Sequence, residues 1–226
     1  MASCVVFEER VEVPMPISSL GDFRTWSHSA NFPQTGRIDY VDGRIEVDMS
    51  PEDLYSHGTL KAKLCAVLQR IVDDDDIGEL FVDRTRVVNL AANLSVEPDL
   101  VFVSWQSLET GKVRPVPRGT GGEERYIELE GSPDLVVEIV SDSSVLKDTR
   151  RLPSLYYRAG VAEFWLIDAR GTDLAFHIHR RGARRFEPVL ANRTRGQASR
   201  VFRKRFLLGR RRNRLNHWQY DLQIVT

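Results

Sequence analysis

Residues 133–168 read PDLVVEIVSDSSVLKDTRRLPSLYYRAGVAEFWLID. The segment opens with an apolar run, 135–140, in which Glu138 is the one ionisable residue. Side chains alternate across a strand, so Asp134, Val136, Glu138 and Val140 share one face, and Leu135, Val137 and Ile139 the other. A carboxyl in a β-branched run is costly to desolvate unless it is paired or holds a metal. Polar 141–144 and the pair Lys147-Asp148 follow, then a short helix and a second apolar strand, 164–167. Strand, helix, strand predicts a βαβ unit and an α/β fold. A carboxylate in the first strand, with cations just beyond it, points to a hydrolytic site.

Working outward, the 226 residues predict a single domain, with a core over about 18–180 and a basic C-terminal extension over 181–226. No apolar run approaches the length needed to cross a bilayer. The start, MASCVVFEERVEVP, lacks a basic region followed by an apolar core, so no secretory signal is expected and a cytoplasmic location is. Cys4 and Cys65 make no disulfide framework.

Upstream, 5–13 reads as an irregular or edge segment, and Ser18 or Ser19 as the cap of a helix carrying Phe23 and Trp26. Asp42-Gly43 is a hairpin signal between strands 37–41 and 44–49, the second with Glu46 and Asp48 on one face. Ser50-Pro51-Glu52-Asp53 predicts a helix start at Ser50, running to about Val72 with Leu60, Leu64, Leu68 and Ile71 as its apolar stripe. His57 lies one turn earlier. It reads either as a core-margin histidine or as a residue at the mouth of the site, near Asp48. Strands are expected at 79–83, 85–90 and 99–103, and a loop at 112–124. His177 and His179 share a face of a later strand and read as exposed strand residues.

Net charge is zero, but 180–226 holds 14 Lys and Arg against two acids, leaving 18 basic and 30 acidic residues before it. Arg203, Lys204, Arg205, Arg210, Arg211 and Arg212 are interleaved with Phe202, Phe206, Leu207 and Leu208. Such interleaving can grip phosphates and stack bases, which makes these residues a candidate nucleic-acid surface. An edge strand lined with arginine, neutralising the acidic body, is the alternative.

Pro98-Asp99-Leu100-Val101, Pro133-Asp134-Leu135-Val136-Val137-Glu138-Ile139, the serines of 141–144 and YYRAGVAEFWLID at 156–168 together resemble the Uma-type family. These are restriction endonuclease-like proteins of the PD-(D/E)XK nuclease superfamily. Asp42-Gly43, Met49-Ser50-Pro51 and His57 belong to the same resemblance, which spans roughly 23–178. It implies a mixed β-sheet flanked by helices, here with extra β-strands at the C-terminal end, and an endonuclease cleaving DNA with Mg²⁺ or Mn²⁺. Asp99 and Glu138 match the metal-binding carboxylates, with the Ile139 carbonyl as a further ligand. His57 and Asp48 match polar positions beside the site, and Asp134 shares the Glu138 face. The superfamily lysine two residues after the glutamate is Val140 here, and the family's alternative helix position is Leu152. Lys147, with Arg150 and Arg151 as alternatives, is the candidate catalytic cation. A nuclease fold with weakened catalysis that binds nucleic acid is the second reading, and a hydrolase for another phosphate ester or an interaction module the third. Related nucleases cut as dimers, which implies a homodimer.

Overall fold

The computed structural model describes residues 13–14, 16–118, 125–192 and 194–225. The expectations for 5–13 (Val13 apart) and for the glycine cluster at 119–122 lie outside these. Asp42 and Gly43 take φ of 50° and 88°, the left-handed region that a two-residue hairpin requires at both positions. They join β1 (Arg37–Val41) to β2 (Arg44–Asp48) in a register running from Val41↔Arg44 to Arg37↔Asp48. This hairpin is one edge of a six-stranded sheet completed by β4 (Arg86–Asn89), β5 (Leu94–Val96), β7 (Val113–Pro117) and β8 (Tyr126–Gly131), in the order β2-β1-β5-β4-β8-β7. Helix α1 (Leu20–Ser27) lies at this sheet. Ser19, one of the two serines the sequence offers as a cap, caps it, and Asp22 completes a capping box.

The second sheet has the order β12-β11-β10-β9-β6-β3. Its members are β3 (Gly78–Val82), β6 (Leu100–Ser104), β9 (Leu135–Ile139), β10 (Glu163–Asp168), β11 (Ala175–Arg181) and β12 (Phe186–Pro188). Strands β9 and β10 are parallel, so 133–168 is the βαβ unit expected. Leu135, Val137 and Ile139 join the cluster formed with helix α2 (Thr59–Asp75). Val136, on the Glu138 face, packs with Leu152, Leu155 and Tyr156 of α4 (Leu152–Arg158). Each face of β9 thus buries its own alternate set, as the sequence alternation requires.

A third sheet, β13 (Gln197–Ser199), β14 (Lys204–Arg212) and β15 (Trp218–Val225), is antiparallel. Phe206, Leu208, Tyr220 and Leu222 carry the α2 cluster across to it. These are the extra C-terminal strands expected. No helix among the described residues is long and apolar enough to cross a membrane. Cys65 is a free thiol.

Three local expectations are corrected. Asp53, not Ser50, caps the chain into helix; its carboxylate accepts from the amides of Tyr55 and Ser56, and a single π-turn, Leu54–Gly58, precedes α2. Helix α2 does not stop at about Val72: Asp75 is its last residue, and Asp76, at φ 45°, ends it. The Pro115 and Pro117 segment is strand β7 rather than loop, because it is a sheet edge and missing amide donors there cost no ladder bond. A short helix α3 (Trp105–Glu109) follows β6.

Candidate active site

Strands β6 and β9 run antiparallel with Leu100 opposite Val137, so the next step brings Asp99 beside Glu138 on the same face. The Ile139 amide, at the end of β9, donates to Asp99 Oδ2 at 2.7 Å. Both carboxyls are almost fully buried. They sit where the two large sheets and two helical segments converge, because β1 brings Arg37 and Asp39, α2 and its π-turn bring Lys61 and His57, and the π-turn Lys147–Arg151 brings Lys147 and Asp148.

Asp99 Oδ1 collects three cationic groups: Lys61 Nζ at 3.2 Å, Arg37 Nη2 at 3.3 Å and His57 Nε2 at 3.4 Å. Burial alone would raise the Asp99 pKa. The hydrogen bond and charge of His57, with Arg37 and Lys61, outweigh it and hold the carboxyl far below the usual range. Glu138 goes the other way. Burial and the neighbouring carboxylates of Asp148 and Asp99 push its pKa well up, against the pull of Lys147 and Arg37. Tyr156 Oη donates to Glu138 Oε1 at 2.5 Å and fixes its orientation. Two adjacent carboxyls with opposite shifts mark this cluster as a candidate functional site.

Lys147 is buried and donates to Asp39 Oδ2 at 2.8 Å. Burial works against its charge, but Asp39 and Glu138 more than compensate, so it stays an ammonium. Asp148 accepts from Ser144 Oγ, and burial raises its pKa to about 6. Asp48 accepts from Ser143 Oγ at 2.6 Å and from the Ser50 amide at 2.8 Å, at the rim of a cavity of about 460 Å³ that Lys147 and Arg37 also line. A second opening, about 510 Å³, runs between His57, Arg37 and Asp48.

The structure therefore brings Asp99, Glu138, Lys147, His57 and Asp48 to one cleft, with the Ile139 backbone beside Asp99. It does not bring Asp134. That carboxylate lies at the opposite end of β9, where it accepts from the Ser104 amide, both Ser104 and Ser107 hydroxyls and Lys112, so its role is to clamp α3 and β7. Leu152 and Val140 are buried apolar residues, Arg150 points to solvent, and Arg151 pairs with Glu46. The basic residues of β14 are largely engaged within the fold. Lys204 pairs with Asp75 at 2.8 Å, Arg205 donates to the Arg195 and Gly196 carbonyls, Arg210 donates to those of Ala169 and Gly171, and the Arg210 and Arg212 guanidiniums sandwich Trp218. Arg203 and Arg211 remain exposed.

Arg37, Asp39, Lys61, Glu52 and Tyr156 are site residues that sequence reasoning missed. Signals existed for two elements. Arg37 and Asp39 share a face of β1 in an alternating strand, and Lys61 stands four residues after His57, on the same helical flank.

Glu52, His57 and Asp99 offer ligand atoms that all lie within 4.8 Å of one another. His57 Nδ1 stands 3.2 Å from Glu52 Oε2, yet out of line for a hydrogen bond. Asp148 Oδ1 is buried without a partner. Four buried acids, Asp39, Asp99, Glu138 and Asp148, surround this cleft, and burial with the charges of Asp148 and Asp99 raises the Glu138 pKa. A divalent cation with oxygen ligands fits that donor set, and Mn²⁺ accepts the imidazole as well.

The family model described as "Uma2: Putative restriction endonuclease" matches residues 20–207. The chain belongs to the Uma2 family. A crystal structure described as a "putative nuclease belonging to DUF820" from Anabaena variabilis ATCC 29413 shares its fold, with a TM-score of 0.59 at 18% identity. The match covers 82% of this chain and 90% of that one. No curated protein matches the chain. The two large sheets lie wholly within the family match; the third sheet, from residue 197 on, is covered only as far as residue 207.

Proposed function

We propose that this protein is an endonuclease that hydrolyses phosphodiester bonds of DNA with Mg²⁺ or Mn²⁺ held by Asp99, Glu138 and the Ile139 carbonyl. One observation carries the reading: Asp99 and Glu138 stand side by side, buried, at one end of the central strands, in a cleft that Lys147 enters through its bond to Asp39 although apolar Val140 and Leu152 occupy the family's lysine positions. When bound, the cation supplies a nucleophilic water, a clamp on the phosphate and stabilisation of the leaving oxygen. The chain's own residues do the rest. Lys147 remains protonated and counters negative charge developing on the phosphate, rather than accepting a proton. The Tyr156 hydroxyl keeps the Glu138 carboxyl aimed. His57, buried beside Asp99, has its pKa raised by that carboxylate against the effect of burial, which favours the charged imidazole next to the phosphate site. Arg37, Lys61 and His57 hold Asp99 ionised and ready as a ligand.

Nicking of supercoiled plasmid in Mg²⁺ or Mn²⁺ tests this, with Glu138→Ala alongside. Wild type should nick and the variant should not. Equal nicking by both overturns the assignment. Salt-dependent DNA binding without cleavage under either metal would favour the second reading, a nuclease fold that binds nucleic acid only.

A further inference from the structure

A cavity of about 1150 Å³ opens between the β1–β2 hairpin, α4 and strands β10 to β12, next to the cleft described above. Its walls are arginine. Arg151 and Arg158 are tied to Glu46 and Asp42, but Arg44, Arg150, Arg184 and Arg185 are exposed and form no ion pair among the described residues. The floor is apolar and aromatic, with Tyr157, Phe164, Leu166, His179 and Phe186. His179 stacks on Phe164, and burial lowers its pKa, so it is a neutral ring. Unpaired cations around sunken rings are not a solvated surface. They match a ligand with anionic groups outside and flat apolar faces inside.

The cavity is also in line with the cleft. Arg44, Glu46 and Asp48 share one face of β2. Arg44 lines the large cavity, Glu46 and Asp48 line the smaller one with Lys147, and the Arg151–Glu46 pair stands between them. Arg44 to Asp48 is about 13 Å of strand, or about four nucleotides at the rise of a stacked strand. The volume exceeds that of a common small-molecule pocket, roughly 300–1,000 Å³, so more than one nucleotide has room.

We propose that this cavity is a subsite for an unpaired nucleic-acid strand flanking the scissile phosphate, with Arg44, Arg150, Arg184 and Arg185 on its phosphates and the ring-lined floor under its bases. The assignment rests on the nuclease reading for the identity of the ligand. A paired duplex keeps its base faces stacked on each other and cannot offer them to a recessed floor, whereas a single strand can.

Fluorescence anisotropy with labelled dT20 and with a blunt duplex of equal length, in EDTA so that nothing is cut, tests the subsite apart from catalysis. The full chain is compared with the triple variant Arg44→Ala, Arg184→Ala, Arg185→Ala, whose three positions are exposed and whose melting temperature should match wild type. The variant should bind dT20 at least ten-fold more weakly, and its slope against log salt should be smaller by about 2, from three lost single-strand contacts. Duplex binding should fall less. Equal dT20 affinity and slope in both proteins, or no dT20 binding by wild type, overturns the proposal. Equal losses on both probes would overturn the single-strand assignment. The binding readout in EDTA needs no cleavage, so an inert wild type in the nicking assay leaves this result standing by itself.

Discussion

Asp148 carries a pH dependence that can be isolated from the rest of the chain. Burial, opposed by Lys147 and the Ser144 hydroxyl, raises its pKa from 3.8 to about 6. The folded state therefore holds that proton more tightly than the unfolded state does. The associated stability is fully present below about pH 4 and is lost as pH rises through 6. Asp99 has the opposite sign, since its lowered pKa contributes stability above 3.8 that disappears in acid. In urea titrations with EDTA, the stability of wild type minus that of Asp148→Asn should fall between pH 4 and 7; a flat difference would rule out this account of Asp148. Lys147 makes a second residue-level prediction. It is the buried partner of Asp39, so Lys147→Met should cost about 3–5 kcal/mol by stranding a buried carboxylate. Adding Asp39→Asn, which keeps the acceptor for the Glu97 amide, should recover most of that loss. A double variant as unstable as the single one would mean that packing, not charge, holds Lys147.

At the scale of elements, what was legible in the sequence was local periodicity. The β9 alternation, the Asp42-Gly43 turn and the Ser19 cap each depend on residues within a few positions, and each formed as read. The start of α2 did not, because Ser50 and Asp53 are both competent caps and the choice is made from afar. Glu52 is drawn to Lys61 at 2.7 Å and to His57, which an early helix start would have turned elsewhere. The site partners Arg37, Asp39 and Lys61 were missed for the same reason: their meaning depends on which strand faces which helix. The π-turn at Leu54–Gly58 aims His57 inward, and Asp53 anchors it through two amides and the Ser56 hydroxyl. Asp53→Ala should lower stability by about 1 kcal/mol, the usual worth of a cap, measured by thermal or urea unfolding. It should also reduce nicking more than DNA binding, since it loosens His57 without removing any exposed cation. A loss of binding equal to the loss of cleavage would place Asp53 outside this role.

On the scale of the whole molecule, the two large sheets, α2 and the βαβ connection all meet at one set of acids and bases. Charge read along the sequence pointed to a basic tail, but charge in space is distributed differently. Lys204 and Arg210 of the third sheet are spent on Asp75 and on backbone carbonyls, while four exposed arginines with no ion pair among the described residues, Arg44, Arg150, Arg184 and Arg185, gather beside β2 and β12. Sequence order cannot show that, because Arg44, Arg150 and Arg184 are far apart along the chain.

The same convergence makes the proposed metal binding testable by melting. A ligand that binds only the native state at a hundred times its Kd adds about 2.7 kcal/mol, roughly 5–10 °C for a domain of this size. Mg²⁺ or Mn²⁺ should therefore raise the melting temperature of wild type. Two candidate ligand sets share Asp99: the one proposed above, with Glu138 and the Ile139 carbonyl, and Glu52 with His57, whose ligand atoms lie close together. Glu138→Gln separates them, because its two effects have opposite signs. Without metal, near neutral pH, it should melt at or above wild type, since it removes a carboxyl that Asp99 and Asp148 repel. With Mg²⁺ its shift should vanish. Glu52, half exposed, should be dispensable for the Mg²⁺ shift, so Glu52→Gln should keep it. If Glu52→Gln instead loses the shift and Glu138→Gln keeps it, the cation belongs at the His57 mouth of the cleft, and Glu138 is a neutral hydrogen-bond acceptor for Tyr156 in a fold that does not cut.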